Sequence, residues 1–188
     1  MRRALQPYLL LLLALAGCTH SLVDDNVRQS DLVILDTVLK DLAVRDVGTY
    51  PGGKTVYVSQ HSLGKNDFYL GNSQLSSDLR DQGIPDGIAL SLRERNRAVV
   101  PIWDEGLETP HAKIGNYDQL MDEEFEDKDY PDCKLIATFW LPGYSTDGNL
   151  AMVRFAISPT AHGATATYLL RRDGESWTIE WFDESFYV

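Results

Sequence analysis

Cysteine is scarce in this 188-residue chain, which has only two, Cys18 and Cys133. Basic residues are also in deficit: 17 Lys plus Arg stand against 28 Asp plus Glu, a formal charge of −11. Such a balance repels phosphate backbones rather than gathering them, which argues against nucleic acid as a partner. The signatures of common catalytic centres are missing too, with no H-E-x-x-H, no phosphate-binding P-loop, no G-x-S-x-G elbow and no compact metal-ligand cluster. What remains is a composition, 44% hydrophobic and 24% charged, that suits one globular domain with a sizeable core.

The N-terminus holds the most specific pattern. Arg2 and Arg3 form a basic start, Leu9 to Ala16 an apolar run, and Leu15-Ala16-Gly17-Cys18 closes it with small residues before a cysteine. The apolar run, Tyr8 to Ala16, is about half of the roughly 20 residues a spanning helix needs. The pattern resembles a bacterial lipoprotein signal. That resemblance implies residues 1–17 as a signal peptide, cleavage before Cys18, and acylation of Cys18 on its sulfur and its new amino group. Several acyl chains give stable anchoring. Cleavage removes Arg2 and Arg3 and no acid, so the formal charge falls from −11 to −13. An acidic protein is not held electrostatically at an anionic surface, and the lipid must do the holding. Thr19 after the cysteine, by resemblance to lipoprotein sorting in Gram-negative bacteria, favours the outer membrane.

With Cys18 acylated, Cys133 is the only thiol left and no intramolecular disulfide is available. A nucleophilic thiol needs a base and an electropositive site, whereas its near neighbours are Asp129, Asp132 and Lys134, so Cys133 reads as a semi-buried structural thiol at a strand start.

Residues 18–29 read as a polar tether and 30–188 as a single α+β domain. Leu32, Leu35, Leu39 and Leu42, widened by Val38, recur at helical spacing and predict a helix over 30–45 with Ser30 as N-cap. Asp31, Asp36, Lys40 and Asp41 fall off that stripe. Thr55 to Ser59 alternates as a strand. A short helix over Ser73 to Arg80 and a second over 85–97 follow. The basic cluster Arg93, Arg95 and Arg97 on the second is read as solvated or paired with acids rather than as an anion site. Val99 to Trp103 is an edge-strand candidate around Pro101, and Pro110, His111 and Gly115 argue for a loop.

Eight acids crowd the fifteen positions from Asp118 to Asp132. Asp122, Glu124, Glu126 and Asp129 are the Ca²⁺ candidates, but the EF-hand frame and its glycine are missing. A solvated acidic helix is the reading adopted, with no cofactor.

The last third holds four apolar-rich runs, Lys134 to Leu141, Leu150 to Ile157, Ala164 to Arg171 and Trp177 to Phe182. Ala151, Val153, Phe155 and Ile157 alternate with Met152, Arg154 and Ala156, and Trp177, Ile179 and Trp181 alternate with Thr178, Glu180 and Phe182. Asp173-Gly174 is a strong hairpin signal. The fold expected is α+β, with N-terminal helices packed on a C-terminal four-stranded antiparallel meander. Tyr130-Pro131-Asp132, Asp147 to Ala151, Tyr168-Leu169-Leu170, Gly174 and Trp177 together resemble the C-terminal half of a family of exported bacterial proteins without assigned function. The Trp-x-Ile ending is also similar to NTF2-like cone folds.

Function divides into two classes. The first is a non-enzymatic envelope lipoprotein that binds an envelope protein or a small molecule. The alternative is a small envelope hydrolase, or other enzyme, using His61, His111 or His162 with neighbouring acids. The absence of catalytic signatures favours binding.

Overall fold

The computed structural model describes residues 26–47, 56–64, 83–102, 110–115, 135–158 and 164–186. Seven strands join one sheet: β1 (Val56–Ser59), β2 (Ala112–Gly115), β3 (Leu135–Phe139), β4 (Gly143–Tyr144), β5 (Leu150–Ser158), β6 (Ala164–Asp173) and β7 (Ser176–Phe186). Their order is β2-β1-β3-β5-β6-β7, with β4 paired to β5 beside β3. Two helices occur among the described residues, α1 over 26–44 and α2 (Asp86–Arg95).

This overturns the expected architecture. The sheet is mixed, because β1 runs parallel to both β2 and β3, while β3, β5, β6 and β7 pair antiparallel. The helices also do not share one side: α1 packs on one sheet face and α2 on the other. The four C-terminal runs are therefore only part of the sheet. The physical reason is visible in β1, whose four residues are all buried. A strand covered on both faces and paired on both edges belongs inside a sheet. The segment read as a loop around His111 and Gly115 supplies β2, and the described residues 99–102 of the edge strand expected over Val99 to Trp103 form an isolated bridge, from Pro101 to His61, rather than a strand.

The first core lies under α1. Ile34, Leu35, Val38, Leu39, Leu42 and Ala43 of the helix meet Val56 and Val58, Leu135, Ala137 and Phe139, the odd residues Ala151 to Ile157 of β5, and the even residues Ala164 to Leu170 of β6. Burying each large apolar side chain here contributes about 1.5–3 kcal/mol. Phe139, Phe155, Tyr168 and Phe182 form a chain of ring contacts across it, with centroids 4.7 to 6.0 Å apart. The helix starts earlier than expected, so Ser30 lies inside it and is not its N-cap. The second core is smaller: Ile84, Ile88, Ala89 and Leu92 cover Trp140, Met152 and Leu169. Trp140 is fully buried there, and its Nε1 has no hydrogen-bond acceptor. Further along the same face, Arg154 is buried among Thr138, Thr165 and Thr167, and its Nη2 donates to Thr165 Oγ1 at 3.2 Å.

Two details of β7 differ from simple alternation. Leu169 pairs with Trp181 but Leu170 with Ile179, so Glu180 is an extra residue in the ladder. A bulge of this kind reverses the phase of the strand beyond it. Trp177, Ile179 and Phe182 consequently pack with the first core and Trp181 with the second. In the β6–β7 turn, Asp173 still pairs with Ser176, and Gly174 alone takes a positive φ, 62°. Glycine at the first turn position is the pattern of a two-residue II′ hairpin.

The helices expected over Ser73 to Arg80 and across the acidic stretch, Cys133, His162 and residues 1–17 lie outside the described residues.

Gly143 marks the closest approach of α2 to the sheet. A Cβ there would stand 2.7 Å from the Leu92 nitrogen and 2.8 Å from the Ile88 oxygen. Backbone atoms cannot swing aside as a flexible side chain can. Gly143→Ala is expected to destabilise the protein by about 1–3 kcal/mol in urea unfolding. A neutral result would show that α2 does not sit directly on β4.

Candidate functional site

Between β3 and β4 the ladder along β5 continues to Trp140, whose N–H donates to Arg154 O at 3.0 Å, and is interrupted at Leu141-Pro142. Pro142 has no N–H to give, so the strand breaks there. The freed backbone groups are taken up by the C-terminal turn of α2 and the residue after it. Asn96 is fully buried. Its Nδ2 donates to Leu141 O at 2.9 Å and to Leu92 O at 2.8 Å, and its Oδ1 accepts from Leu141 N–H at 2.7 Å. Arg95 Nη1 donates to Pro142 O, and Ser91 Oγ accepts from Tyr144 N–H at 3.0 Å.

Arg95 then reaches through to the other face of the sheet. Nη1 and Nη2 meet Asp31 of α1 at 2.9 and 2.7 Å, a bidentate pair, and the guanidinium lies 5.1 Å from the centre of the Tyr144 ring. Tyr144 Oη also donates to Asp31 Oδ1, at 2.7 Å. Asp31 is only 6% exposed. Burial works to lower the Arg95 pKa, but the hydrogen bond and charge of Asp31 outweigh it and the net shift is upward. Burial, reinforced by the Asp31 charge, pushes the Tyr144 phenol well above its ordinary value.

The same chemistry recurs ten positions along α1. Asp41 accepts from Tyr168 Oη at 2.7 Å and from Arg45 Nε at 2.5 Å, while Arg45 lies over Phe182 at 4.5 Å. Burial and the Asp41 hydrogen bond push the Tyr168 phenol up. Arg45 is raised by its own hydrogen bond to Asp41. Asp31 and Asp41 thus fasten the two halves of α1 to β4 and β6.

These groups look like an acid-base centre by composition, yet their geometry is that of a clamp. Both Asp31 oxygens are engaged by guanidinium or phenolic donors from Arg95 and Tyr144, which commits the carboxylate to joining α1, α2 and β4. The adjoining hollow, about 170 Å³, is lined by Arg28, Asp31, Leu32, Val100, Pro101, Ile102 and Leu141. A second one of about 280 Å³ opens beside the β6–β7 hairpin among Arg171, Arg172, Asp173, Thr178 and Glu180. Both fall below the roughly 300–1,000 Å³ typical of small-molecule pockets.

The residues singled out in the sequence do not converge. His61 follows β1, is exposed, and its N–H donates to Ser59 Oγ at 3.4 Å. Ser62 Oγ accepts the Val100 N–H at 2.9 Å, a backbone task rather than a nucleophilic one. His111 stands at the opposite end of β1, where its carbonyl accepts from Val56 N–H. The register of β1 with β2 sets His111 six positions from His61 along the strand direction, roughly 20 Å. Among the described residues no group of three or more His, Cys, Asp or Glu could hold a metal. The Ca²⁺ candidates Asp122, Glu124, Glu126 and Asp129 lie outside them. Of the basic cluster, Arg95 is the clamp residue, Arg97 pairs with Glu94, and Arg93 is exposed. Asp31 and Asp41, read as turned away from the core, are the residues the sequence reading missed. The available signal was that Asp31 precedes Ile34 and Leu35 by three and four positions and so falls on their stripe.

Removing one partner of a buried ion pair strands the other. Asp31→Ala is expected to cost about 3–5 kcal/mol in chemical denaturation, and the apolar pair Asp31→Leu with Arg95→Met less than that single change. Equal costs would mean that Arg95 finds water instead. The raised phenols fix a second outcome. A fold that favours the neutral phenol is fully stabilised by it below about pH 10, the unfolded value, and loses that contribution as pH rises further. The double variant Tyr144→Phe with Tyr168→Phe should therefore lose less stability than the wild type above about pH 10 in alkaline denaturation. Parallel curves would contradict the assignment.

No helix among the described residues is long and apolar enough to cross a membrane. No family model, no curated protein and no solved structure matches the chain, so the functional reading rests on its own residues.

Proposed function

We propose that this protein is a lipoprotein of the bacterial cell envelope, anchored by acyl chains on Cys18, whose folded part is a non-enzymatic binding or interaction module. The observation that carries this reading is Leu15-Ala16-Gly17-Cys18 behind Arg2, Arg3 and the apolar run. Thr19 directs the expectation to the outer membrane. A formal charge of −13 after cleavage leaves the lipid, not electrostatics, to hold the protein at the surface, and argues against nucleic acid as partner.

The preference for binding over catalysis is supported by how the polar side chains are used. Asp31, Arg95, Asn96 and Tyr144 satisfy one another and the interrupted strand, and Ser62 and the two described histidines stand apart. The partner in this reading is an envelope protein or a small molecule, and no cofactor enters it.

Radioactive palmitate fed to a bacterial host producing the full chain should label the protein, and Cys18→Ser should abolish the label. A wild-type protein that stays unlabelled while being exported would overturn the anchoring.

A further inference from the structure

The start of α1 fixes which end of the molecule is closest to the anchor. The described part of α1 begins at Asn26, eight positions after Cys18. Eight residues reach at most roughly 28 Å even when fully extended. Helix α1 itself, over 26–44, is about 28 Å long. To bring the far end of α1 to the bilayer, the tether would have to double back along the helix at full stretch.

At the near end lie the β6–β7 hairpin, the β4–β5 turn and the first turns of α1. Arg172 Nη2 donates to Ser30 Oγ at 3.2 Å, and Arg172 N–H donates to Asn149 O at 2.9 Å, so the three elements are joined. The β4–β5 turn is firmly built. Asp147 accepts from Ser145 Oγ at 2.5 Å and from Asn149 N–H at 3.1 Å, which holds its carboxyl below its ordinary value, and Gly148 supplies a φ of 69°. Both tips are exposed and rigidly connected to the sheet.

Of the ten lysines and arginines among the described residues, Arg28, Arg171 and Arg172 lie on these elements. Arg171 is paired with Glu180, and Asp147, Asp173 and Glu175 share the surface. The end thus carries charges of both signs.

Resting on the reading that Cys18 is acylated, we propose that the end formed by the β6–β7 hairpin, the β4–β5 turn and the start of α1 is the surface that faces the phospholipid bilayer. The opposite end, with Val44 and Asp46, faces away.

The test uses the full-length acylated protein in vesicles of phosphatidylethanolamine and phosphatidylglycerol carrying a headgroup spin label. In a Cys133→Ser background, a fluorophore is attached at Glu175→Cys or at Val44→Cys. Both positions are exposed, Val44 at 70%, and Val44 lies roughly 21 Å along α1 from Ser30. Quenching at position 175 should exceed that at position 44 severalfold. Equal quenching, or stronger quenching at 44, overturns the orientation. Mass spectrometry of the same preparation reads acylation of Cys18 independently. An acylated protein with equal quenching removes only this inference, whereas an unacylated one removes the anchoring and this inference with it.

Discussion

The structure depends on how one broken strand is repaired. Pro142 stops the β3 ladder, and without a substitute the backbone of Leu141 and Pro142 would be left unpaired inside the protein, at about 1–3 kcal/mol per group. Asn96 replaces the missing strand partner of Leu141, accepting from its N–H and donating to its carbonyl. Arg95 covers the Pro142 carbonyl and continues to Asp31. Two consecutive residues at the end of α2 therefore connect both sheet faces. Helix α2 is fixed against β4, and α1, on the opposite side, is fixed to α2.

That connection explains why the buried polar groups are so concentrated. A buried guanidinium is tolerated only with its donors satisfied, and Arg95 meets a carboxylate, a carbonyl and an aromatic face. The Asp41, Arg45 and Tyr168 group repeats the solution further along α1. Both sets place an aspartate of α1 against a tyrosine of the sheet. Hydrophobic burial supplies the bulk of the stability, and these directional contacts select one placement of the helix over its neighbours.

How much of this could be read from sequence varied with how local the cause was. The leucine stripe of α1, the alternation in β5 and the glycine at 174 report on neighbours within a few residues. Phase after Glu180 could not be read, because the bulge depends on which residues of β6 lie opposite. β2 was hidden for the same reason: Ala112 to Gly115 carries little pattern of its own and becomes a strand by pairing with β1. Since β1 and β2 run parallel and are separated by α2, no hairpin signal joins them. The clamp was the least visible element. Asp31 and Arg95 are 64 positions apart, and each alone looks like an ordinary surface charge. The Leu15-Ala16-Gly17-Cys18 pattern is the opposite case, wholly contained in adjacent residues.

The claim that α2 repairs the break, so that these polar groups are committed to the fold rather than to chemistry, is tested most directly by amide hydrogen exchange at Leu141. Bonding to Asn96 Oδ1 at 2.7 Å and full burial of Asn96 predict that this amide exchanges only as slowly as the core strands, and that Asn96→Ala accelerates it far more than it does the β5–β6 ladder. A Leu141 amide exchanging at the rate of an open loop in the unaltered protein would contradict the account.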